Sequence, residues 1–186
     1  MKVIKPLYGI PEAGTHWFHT YDKHQCEKLS MTLSSYDPCF LISSKPGAIR
    51  IVGLQTDDTL FLGDQDFANL EVRELKNAKL TAKDLNELSP DQPLIFNGCK
   101  LVMVKGGINL FQKNQADRIK LIDPFHNAKR TYLEQRACGA YLATICQPEA
   151  SYSLSIAAQC QEPGINEISL LNKQLKWQLQ NKDRGI

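Results

Sequence analysis

Between positions 49 and 63 the chain reads IRIVGLQTDDTLFLG, an apolar run interrupted midway by two adjacent aspartates. The flanks, residues 49–55 and 59–62, are rich in β-branched and large aliphatic types, which predicts two short buried strands with Asp57 and Asp58 at the turn between them. Upstream, Pro11, Glu12 and Ala13 have the form of a first helical turn, because proline suits the first helical position and acid suits the N-terminus. Ala13, Trp17 and Tyr21 then recur every four residues with Phe18 beside them, predicting an amphipathic helix to about Leu33. Tyr36-Asp37-Pro38 breaks that helix. Residues 39–42 read as a strand and Lys45-Pro46-Gly47 as the turn into the next, so three strands converge on the aspartates.

Beyond Gly63, residues 66–75 have few breakers and predict a second helix crossing back over the sheet. A loop at 89–93 leads to another hairpin, with 94–96 and 101–104 on one side, Gly106-Gly107 as the turn and 108–112 returning. Asn114 is placed to cap a short helix through Ile122, which Asp123-Pro124 ends. From Tyr132 to Asn181 strand signal almost vanishes, and two or three helices are expected with breaks near Pro148 and Pro163-Gly164. Ile168, Leu171, Leu175 and Leu179 keep helical spacing there, with Lys173, Lys176 and Gln180 facing water. The expected architecture is α+β: a sheet-and-helix domain over residues 1–125 and a helical segment over 126–186.

The 186 residues are 42% hydrophobic, enough for a real core. A net charge of +2 neither announces nor excludes a polynucleotide partner. Six cysteines, at 26, 39, 99, 138, 146 and 160, show no zinc-like spacing and suit reduced thiols. Pro6 and Gly9 precede any long apolar run, and no 18-residue apolar segment exists. The expectation is a soluble intracellular protein, cytoplasmic or nuclear, neither secreted nor membrane-spanning.

Carboxylates are seldom placed among core strands unless something pairs with or coordinates them. Asp57 and Asp58 therefore admit two readings: aspartates favoured in a turn by their backbone hydrogen bonds, or ligands of a divalent cation such as Mg²⁺. Other clusters lean towards structure. His16, His19 and His24 near Cys26 do not share one helix face. Trp17, Phe18 and Tyr21 could stack on bases, but their recurrence is what core packing alone produces. Lys76, Lys79 and Lys83 fall at helical intervals that could follow a phosphate backbone, yet Glu71, Glu74, Asp84 and Glu87 dilute them into a solvated face. No nucleophile–base pair, phosphate-cradling glycine loop or dinucleotide fingerprint is present.

Three motifs in order, LYGIPEAGTHW (7–17), SYDPCFLI (35–42) and LQTDDTLFLG (54–63), resemble the reverse transcriptase of copia-type LTR retrotransposons. That family carries LYGLKQAPRAW, then a strand containing DPC, then a Y-V-D-D hairpin. Leu7, Tyr8, Gly9, Ala13 and Trp17 match the first, Asp37, Pro38 and Cys39 the second, and Asp57 and Asp58 the third. More weakly, the resemblance runs to the end of the chain, where YLEQRACGAYLATICQPEAS and the closing helix are similar to the thumb and connection region. It implies a partial right-hand polymerase palm followed by a small helical thumb-like subdomain. It also implies Asp57 and Asp58 as catalytic metal ligands for Mg²⁺, with Mn²⁺ as a substitute, in two-metal nucleotidyl transfer. Tyr8, Gly9, Glu12 and Gln55 would line the nucleotide and template site, with an RNA or DNA template-primer and dNTP as partners.

The departures from the family shape the functional expectation. The third catalytic carboxylate of the family lies in an earlier D-V-x-x-A-F-L motif, and no aspartate precedes Leu7 here; fingers and ribonuclease H segments are likewise not seen. Gln55-Thr56 replaces Tyr-Val, Glu12 stands where the family often has Gln, and Gly14 where it has Pro. The reading is thus a truncated RNA-directed DNA polymerase core, inactive as the isolated chain. The alternative is a non-catalytic remnant acting at most as a nucleic-acid-binding or protein-interaction module.

Overall fold

The computed structural model describes residues 10–186, an α+β chain of antiparallel sheets and five α-helices. It divides into two compact units, Met1–Leu85 and Asn86–Ile186. The sequence pattern groups residues 1–125 together; in the structure the three-stranded sheet of residues 94–112 belongs to the unit that holds the last three helices.

In the first unit α1 (Ala13–Leu29) leads into β1 (Met31–Leu33), β2 (Phe40–Ser43), β3 (Ile51–Gln55) and β4 (Asp58–Leu62), and α2 (Gln65–Asn77) follows. The strands form an antiparallel meander in sequence order. Alternation places Met31, Leu41, Val52 and Leu54 on one face, where they are buried with Tyr21 and Leu29 of α1 and Phe67 of α2. Each such side chain contributes about 1.5–3 kcal/mol through the apolar surface it removes from water.

Two features fix the entry to α2. The Asp64 carboxylate caps it by accepting from the Phe67 backbone N–H at 2.7 Å, satisfying one of the helix's orphan donors. Arg50, buried near the start of β3, reaches the same carboxylate at 3.3 Å and lays its guanidinium over the Phe67 ring at 5.2 Å. The capping bond first, then Arg50, hold the Asp64 carboxyl below the usual carboxylate range.

Two expectations for this unit are corrected. The first helix stops at Leu29 rather than about Leu33, because Ser30 turns left-handed at φ 56° and its N–H bonds the Gln25 carbonyl. Met31 is then free to start the strand β1 against Ser43. The lysine stripe at helical spacing does not form: α2 ends at Asn77 and Lys79 has φ 55°, so Lys79 and Lys83 lie beyond the helix that carries Lys76.

The second unit begins with β5 (Leu94–Phe96), β6 (Cys99–Val104) and β7 (Gly107–Gln112), an antiparallel meander. Asn97 and Gly98 both take positive φ between β5 and β6, the geometry for which an Asn-Gly pair is suited in a two-residue hairpin. Helices α3 (Ala128–Ile145), α4 (Ser151–Gln159) and α5 (Ile165–Gln180) complete the unit. Its core gathers Tyr132, Leu142, Leu154, Ile168, Leu171 and Leu175 with Ile119 and Ile122. The short helix expected from Asn114 to Ile122 is only a 3-10 turn over Gln115–Arg118, and Asn114 makes no side-chain cap.

Side-chain amides do the work that a helix would have done there. Gln135 Oε1 accepts from the Lys120 N–H at 2.6 Å, and Asn172 both accepts from the Ile122 N–H and donates to its carbonyl, at 2.7 and 2.8 Å. Buried backbone polar groups need such partners wherever no ladder supplies them. The Gln178 amide likewise donates to the Gly139 carbonyl at 2.9 Å where α3 and α5 meet.

Gly139 permits that approach. A Cβ there would stand 2.7 Å from Gln178 Oε1, 3.0 Å from Leu154 and 3.1 Å from Leu175. Gly139→Val is expected to destabilise the second unit by about 1–3 kcal/mol through overpacking. The check is amide hydrogen exchange, which should rise across α3 and α5 and not in the first unit; unchanged protection in α3 would contradict this packing.

Candidate functional site

The β3–β4 hairpin carries the aspartate doublet. Gln55 pairs with Asp58, Leu54 with Thr59 and Gly53 with Leu60, leaving Thr56 and Asp57 as the two-residue turn. Gln55, Thr56, Asp57 and Asp58 are all exposed. Thr56 has φ 52°. A left-handed conformation costs an L-residue roughly 1–2 kcal/mol, and it is a genuine outlier for a β-branched one. Neither glycine nor asparagine is there to relieve it.

A bond from outside the hairpin holds this turn. The Trp17 indole Nε1–H of α1 donates to the Thr56 carbonyl at 3.0 Å. The Trp17 ring stacks on Tyr21 with centroids 5.4 Å apart and planes within 10°, and Tyr21 stacks in turn on His24 at 6.0 Å. Tyr21 ties the far side of the doublet as well, since Thr59 Oγ1 donates to its hydroxyl at 3.3 Å.

Behind this aromatic row lies Glu71 of α2, almost fully buried. Its Oε1 accepts from the Tyr21 hydroxyl at 2.7 Å and from Gln25 Nε2 at 3.1 Å, while Oε2 finds no partner among the described residues. Burial first, then the Glu71 charge, push the Tyr21 phenol well above its ordinary range, so it stays a donor. His24 is also buried, and its Nε2 has no partner among the described residues. Burial holds its imidazole below the usual 6.5; Glu71 and Glu74 oppose that shift and Lys28 adds to it.

The sheet's other face is open. Phe40, Ile42, Ile51, Gly53, Gln55, Asp58, Leu60 and Leu62 share it by register, opposite the face that packs on the two helices. Phe40, Ile42 and Leu62 are exposed there, and β4 is an edge strand. Among the described residues, Asp58 thus belongs to a partly apolar, exposed sheet face next to an edge strand with no further partner.

Asp57 and Asp58 stand together at the hairpin tip with Gln55 across the ladder. Glu12 is exposed at the N-cap of α1, the helix whose Trp17 touches the turn, and caps nothing with its side chain. Tyr8 and Gly9 lie outside the described residues. His16 and His19 are exposed while His24 is buried, and no cluster of three or more His, Cys, Asp or Glu among the described residues is arranged to hold a metal. Sequence reasoning missed the ties from Trp17 to Thr56 and from Tyr21 to Glu71. The four-residue spacing signalled a buried aromatic stripe but not which carbonyl or carboxylate it would meet.

As donors, Asp57 and Asp58 suit a hard cation of the Mg²⁺ kind, which commonly takes one or two protein carboxylates and fills its remaining positions with water and substrate phosphates. Neither forms an ion pair among the described residues. No helix of the described residues is long and apolar enough to cross a membrane. Comparison with protein-family models, with curated proteins and with solved structures returned no match.

Two stability measurements probe the buried side of the site. Tyr21→Phe removes a donor from a buried carboxylate and should cost about 1–3 kcal/mol, read as a lower urea midpoint for the first unit; a change within error would contradict the bond. For His24 the native state binds the proton less readily than the unfolded chain. Stability should therefore fall as pH is lowered from about 6.5 towards the depressed native value. His24→Gln is expected to flatten that part of the stability–pH curve.

Proposed function

We propose that this chain carries the palm portion of an RNA-directed DNA polymerase similar to the reverse transcriptases of copia-type retrotransposons, with Asp57 and Asp58 as its metal-binding doublet. One observation carries the reading: the doublet sits at the tip of an antiparallel hairpin, braced from the helix side by Trp17 of the first resembling motif. Two motifs more than thirty positions apart in sequence are therefore joined at one place. The DPC segment contributes to the same sheet, because the Cys39 carbonyl accepts from the Leu54 N–H at 2.8 Å.

In this reading Asp57 and Asp58 hold Mg²⁺, or Mn²⁺ in its place, beside the phosphates of an incoming dNTP on an RNA or DNA template-primer. The bound metal would supply charge neutralisation and orientation for phosphoryl transfer. The chain's own part is to fix two carboxylates on a short, strained turn and to offer an open sheet face along which a template-primer could lie. Gln55, exposed across from Asp58, adds a polar contact on that face, and Glu12 lies at the head of the bracing helix. The second unit, with its helices α3–α5, would serve as the thumb or connection. The place of action would be the cytoplasm or nucleus.

The doublet by itself is an incomplete catalytic set, since no third acidic, histidine or cysteine ligand joins it among the described residues. In-line transfer with two metals needs ligands that clamp both the attacking and the leaving oxygen. The purified 186-residue chain is therefore expected to extend no labelled primer with Mg²⁺ or Mn²⁺. Extension that disappears in Asp57→Asn would show instead that the chain holds a complete catalytic set.

A further inference from the structure

The aspartate turn lacks the residues that normally stabilise a two-residue hairpin loop. Favoured loops place Gly, Asn or Asp where φ is positive, whereas here a threonine occupies that position at φ 52°. Local chemistry does not favour this conformation, so contacts from elsewhere must hold it. Two such contacts exist, and they bracket the doublet: Trp17 Nε1 on the Thr56 carbonyl before it, and the Tyr21 hydroxyl with Thr59 after it. Both come from one face of α1, and the buried Glu71 anchors that face through Tyr21.

We propose that Trp17 is a positioning residue for the Asp57–Asp58 turn, its indole N–H holding Thr56 left-handed so that both carboxylates are presented together to a divalent cation. The part concerning the cation rests on the metal reading of the doublet; the part concerning the turn does not. The ring's rigidity follows from its stack on Tyr21, and the bond spans 39 positions, so the turn's shape depends on the docking of α1. Tyr21 acts one step further back, through the stack and through Thr59.

Trp17→Phe tests this, because it keeps an aromatic ring on Tyr21 and removes only the donor. In metal-free protein the backbone coupling that reports Thr56 φ should shift from a left-handed value to an average over conformers, while β1 and β2 resonances stay in place. Apparent Mn²⁺ affinity, read from paramagnetic broadening of the Asp57 and Asp58 amides, should fall roughly fivefold, the weight of one neutral hydrogen bond. An unchanged Thr56 coupling in Trp17→Phe overturns the proposal whatever the metal does. If Mn²⁺ leaves the wild-type turn unbroadened, the metal reading fails, and the Thr56 coupling alone still judges Trp17. Should the variant not fold, the wild-type indole protons decide. Trp17 Nε1–H should exchange with solvent at least tenfold more slowly than a free indole, and exchange at the free rate overturns the proposal.

Discussion

A single constraint organises the first unit: a short turn in an unfavourable backbone conformation has to be held by a helix that is distant in sequence. Trp17 meets the Thr56 carbonyl, Tyr21 meets Thr59, and Glu71 receives Tyr21 from behind. Each bond is worth little net, since water would satisfy the same groups in the unfolded chain. Their value lies in direction. Hydrophobic packing of Leu41, Val52 and Phe67 fixes the distance between helices and sheet but leaves the hairpin tip undetermined; the polar ties fix the tip.

The same arrangement explains why the unit tolerates a buried carboxylate. Removing an acid from water is costly unless hydrogen bonds replace its hydration. Among the described residues Glu71 has two donors on one oxygen and none on the other, so these bonds compensate it only in part. A leucine at this position would pack without that cost, but it would leave the Tyr21 hydroxyl without its acceptor and loosen the row of rings against the turn. The second unit uses neutral polar groups for similar ends: Gln135, Asn172 and Gln178 dock an irregular segment and a close helix crossing. Neutral amides hold backbone in place at lower desolvation cost than charges.

What could be read from sequence followed the reach of each signal. The β3–β4 hairpin and the last helix were legible because apolar periodicity is local and strong. The end of α1 was not, because Ser30 stops the helix by turning left-handed without a glycine or proline to announce it. Lys76, Lys79 and Lys83 kept a helical spacing that the backbone abandons after Asn77. Asn97-Gly98, by contrast, is a two-residue hairpin signal in plain view, and it splits residues 94–104, expected on one side of a longer hairpin, into β5 and β6. A turn at Asp57 was legible, although it falls on Thr56 and Asp57 while Asp58 already begins β4; the brace was not, since a bond across 39 positions leaves no periodic trace. The proposed function rests on motif order together with that brace, and the proposed metal chemistry on the donor types of the doublet.

The most direct test of the central claim is a Mg²⁺ titration of the folded protein followed at the side-chain carboxylate carbons of Asp57 and Asp58. The account predicts that both carbons shift together along one saturable curve, with Asp37 and Asp91 unmoved. Equal, non-saturating shifts at all four aspartates would contradict it, because the doublet would then be ordinary surface charge on a turn.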